Sequence, residues 1–196
     1  MPGVLAPVSY EHIKAVRVLS SQGATPHVVR EAEDAAQTFK MGVPVRLVSG
    51  LIQECSFSGA DIVYGVSMEP AHNLTTANTA QDLSEGTPPN QPSGITIPVG
   101  AWPRDGKMGV YAANGQTVFS IALKAGQVFT QALLAAGTLY GLTKDGTTGL
   151  WYLDNTDTAG NNAVARLLGY DPSSPNTVAD GCRVFFQFDA SKRYFS

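Results

Sequence analysis

The stretch from Phe39 to Asn73, FKMGVPVRLVSGLIQECSFSGADIVYGVSMEPAHN, decides the fold class. Gly42 and Pro44 punctuate its start. Val45, Leu47, Leu51 and Ile52 are apolar or β-favouring, and Ser49-Gly50 between them is a turn signal. Ser58-Gly59-Ala60-Asp61 marks a second turn. Ile62-Val63-Tyr64-Gly65-Val66 is a third run, rich in β-branched and aromatic residues. These features predict three short strands joined by tight turns. Such a meander can roll into a small barrel or pack as one sheet of a sandwich. Nothing in the stretch looks like a catalytic centre.

Downstream the β signals continue. Lys107 to Ala113, the Asn114-Gly115 dipeptide and Gln116 to Leu123 form the strongest hairpin signal in the chain. Asn-Gly favours a type I′ turn because both central positions need positive φ. A second hairpin is expected from Leu139 to Asp154 around Lys144-Asp145-Gly146. Gln127 to Ala136 reads equally as a short helix or a strand. Ala163 to Tyr170 is expected as a strand, with a helical turn as the alternative, and Asp171-Pro172-Ser173-Ser174-Pro175-Asn176 as a turn. The bulk of CRVFFQF, Cys182 to Phe188, predicts a terminal strand buried on both faces. Many short strands between regular turn signals argue for an all-β barrel or sandwich.

Residues 1–38 differ in character. Pro2, Pro7 and Pro26 interrupt them, Ser20 to Thr25 is loop-like, and Glu31 to Gln37 suits a helical turn or two. They read as an N-terminal segment, either a partly ordered tail or an arm that orders on a neighbouring subunit. Val4, Leu5, Tyr10, Ile13, Val16, Val18 and Leu19 favour the arm, because a solvated tail carries fewer apolar residues. Residues 69–94 form a long polar connection within the 39–196 domain. Pro70, Pro88, Pro89 and Pro92 favour extended backbone there, and so long a loop is commonly functional or interacting.

Composition narrows the function classes. The chain has 196 residues, enough for one sizeable domain with an arm. Only 15% are charged, which suits a surface covered by partners or a β protein rich in small residues. Thirteen Lys plus Arg against 16 Asp plus Glu argue against a nucleic-acid footprint, which needs clustered basic charge. No run approaches the roughly 20 apolar residues of a membrane span. The start, MPGVLAPVSYEHIKAV, lacks the pattern of a signal peptide. Cys55 and Cys182 are therefore expected to be reduced and buried.

Motifs of chemistry are scarce. His12, His27 and His72 lack ligand spacing, and no zinc, nucleophile-elbow, phosphate-loop or dinucleotide pattern occurs. Asp154 to Asn162 is rich in oxygen ligands but departs from a calcium loop: the glycine is late and the closing glutamate is missing. A solvated β-turn is expected there. Glu69 and His72 are an acid and a base close in sequence, read as surface loop residues. Trp151, inside Leu-Trp-Tyr-Leu, is expected in the core, whereas Trp102 is more open and stays unassigned.

Four segments together resemble the head decoration, or cement, proteins of tailed bacteriophages. They are Phe39 to Val45, Gly65 to Leu74, Pro89-Asn90-Gln91-Pro92 before Ile95 to Pro98, and Tyr140 to Gly146 running on to Trp151-Tyr152. The resemblance spans residues 39 to about 188. It implies a virion protein on the capsid exterior, assembled in the host cytoplasm, that binds the expanded shell and stabilises contacts between major capsid subunits. Its implied partners are the major capsid protein and copies of itself, as a dimer or trimer. No enzyme activity, cofactor, nucleic acid or membrane is implied. The expected fold is all-β, a small barrel or sandwich (β-tulip- or jelly-roll-like) of short antiparallel strands with an extended N-terminal arm. Candidate contacts are Val4, Leu5, Tyr10, Ile13 and Val16 in the arm, and Leu74, Pro88, Pro89 and Pro92 in the loop. The alternative is a receptor- or glycan-binding module of a phage fibre or tail, for which Trp102 is the hint.

Overall fold

The computed structural model describes residues 13–19, 25–57, 61–72, 107–174 and 182–195. The strands are β1 (Lys14–Val18), β2 (Val28–Ala32), β3 (Pro44–Val48), β4 (Leu51–Glu54), β5 (Gly65–Ser67), β6 (Lys107–Ala112), β7 (Thr117–Ala122), β8 (Tyr140–Lys144), β9 (Trp151–Asp154), β10 (Ala163–Tyr170) and β11 (Arg183–Phe188). They form two antiparallel sheets, ordered β1-β7-β11-β10-β8-β9 and β2-β6-β5-β3-β4. The protein is a small all-β sandwich, with no α-helix and no closed barrel among the described residues. Gln127 to Ala136 resolves into a single 3-10 turn at Gln131–Leu134.

Burial sets the order of the strands. Every residue of β5 and every residue of β7 is buried, and both strands sit inside their sheets. In β4 only Ile52 is buried, and β4 is an end strand. The organising stretch is therefore not a simple meander. β3 and β4 pair across Ser49-Gly50, with Val48 opposite Leu51, but β5 returns to the other side of β3. The third strand is Gly65–Ser67, later than its apolar run, and Ile62 is exposed. Gly65 allows β5 to lie tight on β6, since a Cβ there would collide with the Tyr111 carbonyl and the Val110 side chain.

Asn114-Gly115 does not close a hairpin. β6 pairs with β2 and β5, whereas β7 pairs with β1 and β11 in the other sheet. The chain crosses from one layer to the other at this corner. Neither residue has the positive φ that a type I′ turn requires. Instead the Asn114 side-chain oxygen accepts from the Gln116 N–H at 2.9 Å, the Thr117 N–H at 2.8 Å and the Thr117 hydroxyl at 2.9 Å. The expected β8–β9 hairpin does form, with Lys144 opposite Trp151.

One core lies between the layers. Phe119, Phe186 and Phe188 pack edge-on or tilted at 5.2–5.7 Å, while Val45, Ile52, Val66, Met108 and Val110 enter from the five-stranded sheet. Trp151 is in this core, edge-on to Phe57 at 5.4 Å, with its ring N–H donating to Glu54 at 2.9 Å. The last strand alternates rather than burying both faces: Val184, Phe186 and Phe188 point inward and Phe185 is half-buried. Cys55 and Cys182 are both free and buried, and burial pushes both thiols up.

The described residues before residue 39 contribute to the body. β1 extends the six-stranded sheet, β2 extends the five-stranded one, and Ile13 is buried in the shared core. Glu31 to Gln37 forms no helical turn. It completes β2 and bridges Glu33 to Ile52 of β4. Residues 1–12 lie outside the described residues.

Candidate functional site

Among the described residues β1 is the end strand of the six-stranded sheet, and its register carries a defect. Lys14 faces Ser120 and Ala15 faces Phe119, but Arg17 faces Val118, so Val16 is the extra residue of a β-bulge. The bulge leaves Val16 46% exposed, and Leu19 just beyond the strand is 51% exposed. Arg17 lies over the Phe185 ring, 5.3 Å from its centroid, so its cation also covers an aromatic face. Bulges and basic residues are devices by which a sheet edge resists indiscriminate strand pairing. Here they leave the apolar side chains of Val16 and Leu19 displayed.

A groove of about 450 Å³ runs beside β1. It is lined by Ile13, Lys14 and Ala15 together with Met41, Ser67, Met68 and Tyr111. Its floor is internally satisfied: the Ile13 N–H donates to the Gly42 carbonyl at 3.1 Å, and the Val43 N–H donates to the Ser67 hydroxyl at 3.2 Å. Two thioethers and a tyrosine make an adaptable, largely apolar lining.

Among the expected contacts, only Ile13 and Val16 fall within the described residues. Val16 stands open. Ile13 is buried at 3% exposure within its own chain, so its burial is already spent and it offers nothing to a neighbour. Val4, Leu5, Tyr10, Leu74, Pro88, Pro89, Pro92 and Trp102 lie outside the described residues. Of the 69–94 loop only residues 69–72 are described, and they are held inward, with the Ala71 N–H donating to the Phe39 carbonyl at 2.9 Å.

Glu69 and His72 are not a solvated pair. His72 is 3% exposed and its ring Nδ1 lies 2.6 Å from Glu33 Oε2, while its backbone N–H donates to Glu33 Oε1 at 2.8 Å. Glu33 itself is fully buried. Glu69 accepts from the Gly109 N–H at 2.7 Å, and its other oxygen is 4.0 Å from His72 Nε2. The cluster pins the end of β2, residue 72 and β6 to one point. Sequence reasoning missed Glu33, which lies 39 positions from His72 within an acidic run. No local pattern signals such a pairing.

The oxygen-rich loop is largely solvated, as expected, with Thr156 and residues 158–161 exposed, and Asp154 alone is turned inward. Asp154 is buried and accepts from Lys124 Nζ, Gln127 Nε2 and the Thr156 hydroxyl, each at 2.6 Å. Burial alone raises its pKa, but these donors outweigh it and hold the carboxyl well below the ordinary range. Asp157 is engaged by Asn162. Among the described residues no group of three or more His, Cys, Asp or Glu is placed to hold a metal ion.

The same corner recurs along the chain. Asn114, Asp145, Asp154, Asp171 and Asp189 each accept both a backbone N–H and the hydroxyl of a Ser or Thr two or three residues later. The spacing of an Asp or Asn before Ser or Thr was the available sequence signal for these turns.

One aromatic patch reaches solvent elsewhere. Tyr64, Tyr194 and Phe195 touch one another at 4.9–5.3 Å, His27 meets Phe195 at 6.4 Å, and Tyr194 is 57% exposed. The Tyr64 hydroxyl donates to Glu31 at 2.9 Å. Burial, then the Glu31 carboxylate, pushes its pKa up.

No protein-family model, curated protein or solved structure matches this chain.

Proposed function

We propose that this protein is a virion structural protein that binds the outside of an expanded phage capsid and stabilises contacts between major capsid subunits. It works by contact and not by chemistry, with copies of itself as further partners. The observation that carries the reading is the edge of the six-stranded sheet, where the bulged Val16 and the neighbouring Leu19 present apolar surface. The four sequence phrases that resemble decoration proteins support it. The buried acids Glu33, Asp154 and Asp171 are engaged by internal donors, as suits a scaffold. A protein that binds only the expanded shell stabilises that state by its differential affinity.

The test is to mix purified protein with unexpanded and expanded shells and to sediment them. Binding confined to expanded shells is the expected result. Equal binding to both, or to neither, contradicts the reading. The exposed Tyr194 with its aromatic neighbours favours one second reading, a glycan-binding module, because aromatic faces stack on sugar rings. Binding to cell-surface glycans without any shell, abolished by Tyr194→Ala, identifies that case.

A further inference from the structure

We propose that Asn114 is a latent deamidation site, gated by opening of the corner where the chain crosses between the sheets. Asn114-Gly115 is the single Asn-Gly pair in the chain. Glycine is the least hindered neighbour for the reaction. The Gly115 backbone nitrogen attacks Asn114 Cγ, a C–N bond forms, the nitrogen loses its proton, and ammonia leaves. Water then opens the resulting succinimide at either carbonyl, giving aspartate or isoaspartate at position 114. Bulk water is the only co-reactant.

The fold opposes the first step. Attack requires rotation of the Asn114 side chain and of the backbone beside it. That rotation withdraws Oδ1 from the Gln116 N–H, the Thr117 N–H and the Thr117 hydroxyl, all within 2.8–2.9 Å. The three bonds are made in the ground state and lost on the way to the transition state, so they slow the reaction. Gly115 is held as well. Its carbonyl accepts from Gln187 Nε2 at 3.0 Å, and the Arg193 guanidinium lies against it. Thr117 is fully buried on the far side of the corner. The reactive conformer therefore belongs to an opened crossover.

The two products differ in consequence. Aspartate keeps an acceptor oxygen where Oδ1 sits. Isoaspartate inserts a methylene into the backbone between β6 and β7, which are anchored in different sheets, and cannot keep both registers.

Peptide mapping by mass spectrometry, at mildly alkaline pH, follows conversion at position 114 in native and in urea-unfolded protein. Native protein should convert more slowly by roughly tenfold or more, as expected of a locally opened state. Thr117→Val, which removes the hydroxyl alone, should speed native conversion roughly fivefold, the factor for one lost hydrogen bond of about 1 kcal/mol. Thr117→Ser should restore the slow rate. If the valine variant does not fold, Gln187→Ala, which frees the Gly115 carbonyl, takes its place with the same expectation. Equal rates in native and unfolded protein, or a folded variant with an unchanged native rate, would overturn the proposal.

Discussion

Two corners built from similar dipeptides do opposite things in this molecule. Ser49 and Gly50 both have positive φ, at 52° and 84°, and close the β3–β4 hairpin within one sheet. Asn114 and Gly115 have no positive φ, and carry the chain from one sheet to the other. The flanking strands explain the difference. β3 and β4 keep residues such as Val48 and Leu51 at least partly exposed, so they can lie side by side at a sheet end. β7 is buried along its whole length and β6 nearly so, and each needs a neighbour on both sides. Pairing them with each other at an edge would leave that apolar surface in water. A turn dipeptide offers a conformation, and burial decides whether it is taken.

The sharpest way to break this comparison is to remove core from one side only. Phe119→Ala in β7 deletes a ring packed against Phe186 and Phe188 and should cost about 3–5 kcal/mol in denaturant unfolding. Leu51→Ala beside the hairpin turn, half-buried, should cost about 1 kcal/mol or less. Similar losses at the two sites would show that burial does not separate the corners.

The Glu33–His72 pair comes next. Removing one partner from a buried pair leaves an uncompensated polar group, so Glu33→Ala should destabilise by about 3 kcal/mol. Arg166→Ala, which frees Asp189 near the surface, should cost less than about 1 kcal/mol. Equal midpoints for the two variants would remove Glu33 from the core account.

Acid should separate the two sheets more gently. Burial raises the pKa of Asp189, but the Ser191 N–H, Arg166 and the Ser191 hydroxyl outweigh it and hold the group at about 2, below its ordinary 3.8. Asp154 and Asp171, also in the six-stranded half, are shifted down by their donors in spite of burial. Groups with a lowered folded pKa contribute stability above the unfolded value and lose it as pH falls through the folded value. Asp61, braced by the Phe57 and Ser56 N–H groups and by Arg46, is the corresponding group of the five-stranded half. Hydrogen exchange between about pH 4 and 2 should therefore show protection lost first in β7, β10 and β11. Earlier loss in β3 and β4 would reverse the assignment.

The smallest effect concerns the corners themselves. Gly50→Ala places a side chain at φ +84° and should cost about 1 kcal/mol, although the space around it is open. Gly115→Ala has no such backbone cost. Its Cβ would lie 2.8 Å from the Arg193 guanidinium, the far end of a flexible side chain, so a smaller loss is expected. Thermal melts of the two variants check the order.

The fold class was legible, because short β-favouring runs and turn residues are local signals. The Ser49-Gly50 and Lys144 to Trp151 hairpins and the core position of Trp151 were read from the same signals. The pairing order was not, since β5 returning to β3 and β1 joining β7 depend on contacts far apart in sequence. Of the candidate site, Val16 was legible as one of the apolar residues of the N-terminal segment. Ile13 looked the same in sequence and is buried, because the bulge after Ala15 turns Val16 outward while Ile13 bonds to Gly42. Glu33 carried no signal at all.

The proposed docking role stands or falls on occupancy of expanded shells across a salt series, for the native protein and for Val16→Asp and Leu19→Asp. Both positions are exposed, so the variants should fold. With 15% charged residues and a net charge of −3, long-range attraction is weak, and native occupancy should persist from low to moderately high salt. Each apolar side chain is worth about 1.5–3 kcal/mol where fully covered, so each variant should bind roughly tenfold more weakly or worse. Occupancy that collapses with salt yet ignores both substitutions would show that charge, and not the β1 edge, holds the protein on its shell.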